Sequence, residues 1–227
     1  MKTRSTEVRS TVVCAVLLVL FSSVACEVIE GNGQYGEEQR SLESFEAVEV
    51  SGEFRVGVLV TDKVDAEGTT VTVTGDDNLL EHVRTRVKDN KLIIHERGGV
   101  WLDPELPLTV EVITPSLGRV EASGDNNVQV EGLKGQRFKV GVSGDAQVLV
   151  KGEVDRFVVD ISGDASVRAR ELVSQSARVN VSGDAEVRLC AEEALDVNIS
   201  GCADVYYYCE PQTVDRNISG DAKIKRR

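Results

Sequence analysis

The stretch FVVDISGDASVRARELVSQSARVNVSGDAEVRLC, residues 157–190, contains the phrase SGDA twice, with the serines 20 residues apart. Around the first copy, Phe157, Val159, Ile161, Gly163, Ala165, Val167 and Ala169 share one parity and mostly polar residues share the other. That alternation is the mark of a half-buried strand. The inward set runs straight through the phrase, so Gly163 falls on the inner side while Ser162 and Asp164 point outward.

SGD or a near copy starts at Ser123, Ser143, Ser162, Ser182, Ser200 and Ser219, in steps of 20, 19, 20, 18 and 19 residues. One such unit cannot bury its apolar edge alone, but it can when stacked on copies of itself. The reading is therefore an all-β chain, a right-handed parallel β-helix with coils of about 19 residues, spaced about 4.8 Å apart. The inward glycine fits a bend, where a side chain would obstruct the backbone.

Residues 42–118 are less regular and are expected to form a β-rich N-terminal cap on the repeats of 119–227. FEAVEVSGEFRVGVLV (45–60) reads as an opening coil with its own Ser51-Gly52. Beyond it we expect a strand, a short helical turn near Leu79–Val83, a hairpin turning at Asp89-Asn90, and a strand at 107–115. Trp101, beside a glycine pair, is assigned to a capping loop.

The N-terminus has Lys2, Arg4 and Arg9 before an apolar run from Thr11 to Ala25. A basic head followed by a short apolar stretch with small residues at its end reads as a signal peptide, residues 1–25. Two fates remain open. The chain is cut after Ala25, or SVAC (23–26) acts as a lipobox and Cys26 carries lipid. Residues 26–41, polar and glycine-containing, read as a flexible tether. Removal of 1–25 takes away three basic groups and one acid and shifts the formal charge from −12 to −14. Such a surface repels nucleic acid, and membrane contact is expected only through an anchor at Cys26.

The order of these features resembles a known group. An exported N-terminus, FEAVEVSGEFRVGV, GDDNLLEHVRTRVKDNKLIIH, serial VSGDA coils and a closing NISGDAKIKRR are similar to the bacterial head GIN domain, a group named for auto-transporter adhesins. The resemblance covers roughly 42–227. It implies a β-helical fold and a place in the cell envelope, as an outer-membrane lipoprotein or a periplasmic or secreted protein. It carries no catalytic residues to transfer.

Stacking would align equivalent residues into ladders. Asp125, Asp145, Asp164, Asp184, Cys202 and Asp221 form one column, and Ser143, Ser162, Ser182 and their equivalents another. Asp160, Asn180, Asn198 and Asn217 stand two residues before the serines. Two readings compete. Such ladders hold coils in register, or they present one polar Asn/Ser/Asp face to an envelope or surface glycan or protein. Cys202 in the aspartate column argues against a carboxylate on every rung, and hence against a chain of metal sites. Neither histidine, His82 or His95, has metal-ligand company, and no nucleophile or phosphate-loop motif occurs. No catalytic residue, metal or cofactor is expected. Polysaccharide cleavage, with Arg168 and Arg188 near the aspartate column, is the outside alternative.

Cys190 and Cys209 lie 19 residues apart, one coil. Adjacent coils fall within disulfide range, which predicts a Cys190–Cys209 bridge. Pairing of Cys202 with either neighbour is the alternative. Of the YYY cluster, Tyr207 should point inward. Tyr206 and Tyr208 should face solvent, as a sugar platform or as cover for an open end.

Overall fold

A computed structural model describes residues 27–63 and 69–227. The signal segment and Cys26 lie outside the described residues. The chain forms strands β1 (Glu27–Glu30), β2 (Tyr35–Ser41), β3 (Ala47–Val60), β4 (Thr70–Asp76), β5 (Val83–Lys88) and β6 (Lys91–Glu96). These are followed by β7 (Val100–Asp103), β8 (Thr109–Thr114), β9 (Arg119–Ser143), β10 (Ala146–Tyr207) and β11 (Thr213–Arg226). A 3₁₀ turn at Leu80–His82 is the one helical element among the described residues. The fold is all-β.

β10 runs for 62 residues. Drawn straight it would span about 200 Å. It is instead wound on itself, since Asn180 bonds Asp160 and Asn198 bonds Asn180 across separations of 20 and 18 residues. Neighbouring turns run parallel and in register. Phe157 pairs with Phe138, Val159 with Val140 and Ile161 with Val142. Leu195 pairs with Val214 and Gly201 with Gly220. The opening coil joins the same stack, with Ser51 on Ser123 and Gly52 on Gly124. Steps near 19 residues thus set apolar on apolar, and each buried Val, Ile or Phe contributes about 1.5–3 kcal/mol of transfer free energy. The Phe138 and Phe157 rings stack with centroids 6.3 Å apart.

The sheet is mixed rather than parallel throughout. β8 runs parallel beside β3, but β4 is antiparallel to β8 and β2 to β4. The β5–β6 hairpin is also antiparallel, and it covers the stack through β6 on Ala47–Ser51. Its turn lies at Asp89 and Asn90, with φ of 52° and 61°. Two left-handed residues in a row give the twist that a two-residue hairpin needs.

The expected tether is a correction. Within residues 26–41, β1 pairs with β7 and β2 with β4, so Glu27–Glu30 and Tyr35–Ser41 are strands rather than tether. The cause is long-range hydrogen bonding that polarity disguised. Asp76, fully buried, accepts the Gly33 N–H at 2.7 Å and the Leu106 N–H at 2.9 Å. Asn78 donates to the Glu30 carbonyl and accepts from the Asn32 N–H. Trp101 likewise belongs to strand β7 rather than to a loop.

Candidate functional site: a trough along the stacked coils

In successive coils the serine of the glycine phrase and the polar residue two places before it flank one inward side chain. Asp160 and Ser162 flank Ile161; Asn180 and Ser182 flank Val181; Asn198 and Ser200 flank Ile199. Stacking turns these triplets into a trough of about 690 Å³, with one wall of Glu, Asp and Asn interrupted at Gly141, one wall of Ser, and a floor of Ala, Val and Ile. From Ser123 to Ser219 it crosses five coil steps, about 24 Å at the inter-strand spacing.

The trough has a charged end and a neutral end. At the charged end Lys91 bridges Glu49 and Glu121, and Arg119 also reaches Glu121. Hydrogen bonds to these two carboxylates hold the Lys91 ammonium above the usual lysine range. Asp160 sits in mid-trough, paired with Lys139 and receiving the Asn180 amide. Burial pushes its carboxyl up, but the bonds from Asn180 and Lys139 and the nearby Arg137 charge outweigh burial and hold it below the usual aspartate range. Beyond Asn180 the walls carry only amides and hydroxyls: Asn180, Asn198 and Asn217 facing Ser182, Ser200 and Ser219.

The sequence placed Asn, Ser and Asp columns on one face, and the structure separates them. Ser143, Ser162, Ser182, Asn180 and Asn198 line the trough; Asp125, Asp145, Asp164 and Asp184 do not. Asp184, Cys202 and Asp221 border a different depression of about 360 Å³, with Glu186, Asp204 and Lys223. The glycine between serine and aspartate is the reason. Gly163 has φ +143°, and a Cβ there would lie 2.6 Å from the Gly144 carbonyl oxygen. The chain therefore turns at each glycine column, so residues two apart no longer share a face. At the first copy Asn126 occupies the usual alanine place. It donates to the Ser123 carbonyl and accepts from the Phe54 N–H, a locking role that only its departure from the repeat could have signalled.

Cys190 and Cys209 form a disulfide with Cα atoms 4.9 Å apart, while Cys202 is exposed and free. Tyr207 points inward. The neighbouring tyrosine rings are already engaged: the Arg170 guanidinium lies 4.6 Å from the Tyr208 centroid and that of Arg227 5.0 Å from Tyr206. Cation–π contact thus covers a ring face on each of the two tyrosines that the sequence offered as a sugar platform or as cover for an open end. Among the described residues, no helix is long and apolar enough to cross a membrane.

Several solved structures share this fold. One described as a putative adhesin from Bacteroides fragilis superposes with a TM-score of 0.69 at 16% identity, covering 88% of this chain and all of that one. A putative lipid binding protein from Parabacteroides distasonis gives 0.55 at 17% identity, with 88% and 100% covered. A putative adhesin from Parabacteroides merdae gives 0.53 at 15%, with 88% and 99% covered. At such identities the likeness concerns the fold. No curated protein matches the sequence. The family model "Putative auto-transporter adhesin, head GIN domain" matches residues 44–211, most of the chain, and the protein belongs to that family.

Proposed function

We propose that this chain is an exported, non-catalytic binding module of the bacterial envelope, and that its trough receives an extended glycan or protein segment along the coil axis. The observation that carries this reading is the trough itself. It offers the same pair of groups, an amide or carboxylate and a hydroxyl, at each coil step except the one at Gly141 and Ser143. A ligand with a repeating backbone can meet such a surface unit by unit. Hydrogen-bonding walls over an apolar floor suit a sugar polymer, whose rings have polar edges and apolar faces. Membership in an adhesin-named family favours surface contact over chemistry. In this reading residues 1–25 direct export and Cys26 is lipidated. The coils of 119–227 wind as a right-handed parallel β-helix, the hand that parallel crossovers almost always take.

A glycan array probed with the mature chain tests the proposal. Two variants assign the face: Ser162→Arg with Ser182→Arg, which fills the trough, and Asp145→Lys with Asp164→Lys and Asp184→Lys, which inverts the aspartate column. Saturable binding lost only in the serine variant supports the trough. Loss only in the aspartate variant moves the site to the other face. A folded chain that binds no glycan and no envelope protein is a structural spacer, and the reading fails.

A further inference from the structure

Two large apolar side chains stand together on the outside of the ribbon that begins the described chain. Val28 is 60% exposed and Trp101 59%, and they are direct partners in the parallel pairing of β1 with β7. Partnered residues project to one face of a pleated pair. The opposite face does the structural work: Val100 and Leu102 are buried and Ile29 packs partly against the core. The Val28–Trp101 pair is therefore not needed to hold the ribbon down.

We propose that this pair seats on a lipid bilayer, with the Trp101 indole at the headgroup level. The inference rests on the reading of Cys26 as a lipid anchor. Val28 is two residues from Cys26, so its Cα lies within about 7 Å of the Cα of an acylated Cys26 even in extended chain. Tryptophan is the side chain most suited to the membrane–water boundary, being apolar in body and carrying one N–H donor. Two residues further along the same face, Glu30 partners Asp103. These carboxylates limit how deep the ribbon can sink and favour a zwitterionic leaflet over an anionic one. Docked this way, the N-terminal cap faces the bilayer and the stacked coils project from it.

Trp101 is the chain's only tryptophan, so its emission reports this contact alone. The full chain is expressed in a bacterial host, acylation of Cys26 is read by intact mass, and Cys26→Ser supplies the unacylated form. Phosphatidylcholine vesicles are then added. The expected result for the acylated chain is emission shifted to shorter wavelength and quenched by lipids brominated in their acyl chains. Val28→Asp should keep the acylated chain on the vesicles but abolish that shift. An acylated chain that sediments with vesicles while its emission stays that of a water-exposed indole overturns the proposal and leaves Trp101 for a protein partner. Emission already shifted before vesicles are added overturns it too, since the indole is then covered by the chain. An intact mass without acyl groups defeats the anchor reading separately. The unacylated chain must then shift on vesicles by itself for the docking surface to stand.

Discussion

Asn180 donates its side-chain amide to Asp160 at 2.7 Å, one coil below, and accepts the Asn198 amide at 3.1 Å from the coil above. One residue thus ties three coils along the trough wall. Asn180→Ala breaks both bonds. At a half-exposed site the loss should come to about 1–2 kcal/mol. That corresponds to roughly 2–8 °C in Tm for a domain of this size, measured by calorimetry beside the parent chain. A variant that melts with the parent would reduce the ladder to decoration.

The same pair makes a statement about pH. The Asp160 carboxyl is held below its ordinary value of 3.8: burial raises it, but the Asn180 and Lys139 bonds win. A carboxyl with a depressed folded pKa contributes stability that is present above its unfolded value and is lost as pH falls through the folded one. Asp160→Asn should therefore lower Tm near neutrality and lose that difference below about pH 4, where the parent's carboxyl is also being protonated. Thermal melts across that range, with Asp164→Asn as the control outside the trough, decide it.

Glu96 has the opposite sign. Burial, assisted by the Glu53 charge, raises its carboxyl above the usual glutamate range. The fold therefore disfavours its ionised form, so near neutrality it costs stability, and the cost disappears once acid protonates both folded and unfolded chains. Glu96→Gln should raise Tm at neutral pH and leave it unchanged in acid. A fall in Tm at neutral pH would mean that the carboxylate has a stabilising partner that burial and Glu53 do not describe.

The repeats were legible because three signals coincided at each coil: the glycine phrase, the alternation, and a spacing near 19. Gly52 could be matched to Gly124 from the phrase alone, and β3 does pair with β9 there. Faces were less legible. Period-two reasoning carried Asn180, Ser182 and Asp184 onto one surface, because parity cannot register a chain that turns at Gly183. The polar run Glu37–Arg40 shows no apolar alternation, so β2 looked like tether. What orders the segment leading into it is a carboxylate some 40 residues away, Asp76 at Gly33. Long-range polar partners leave no periodic trace.

The glycine column makes a sharp pair of substitutions available. Gly163 has φ +143°, and an added Cβ would lie 2.6 Å from the Gly144 oxygen and 2.7 Å from its nitrogen. Both atoms are backbone and cannot yield without parting two coils. Gly163→Ala should cost about 3 kcal/mol, the upper end for a strained backbone site. At Gly141 a Cβ would meet nothing closer than Glu121 Cγ at 3.6 Å, and Gly141→Ala should stay within about 0.5 kcal/mol of the parent. Urea titration of the two variants would expose a wrong assignment at once: equal midpoints would mean that the coils do not stack on their glycines.

The Cys190–Cys209 bridge clamps the last coils where the stack ends. Its Cα separation of 4.9 Å is that of neighbouring strands, so it joins one coil to the next without pulling them out of register. The Ser174 hydroxyl donates to the Cys190 carbonyl at 2.9 Å and steadies the same point. Closing a loop of this length stabilises by about 3 kcal/mol on the chain-entropy view. Cys190→Ser with Cys209→Ser should therefore lower Tm by roughly 6–12 °C, and reduction of the parent chain should do the same. Cys202→Ser should change nothing, since Cys202 is exposed and free. Peptide mapping without reductant should recover the 190 and 209 peptides joined and Cys202 open to alkylation. A joined Cys202 peptide would mean that the aspartate column, rather than the end of the stack, carries the cross-link.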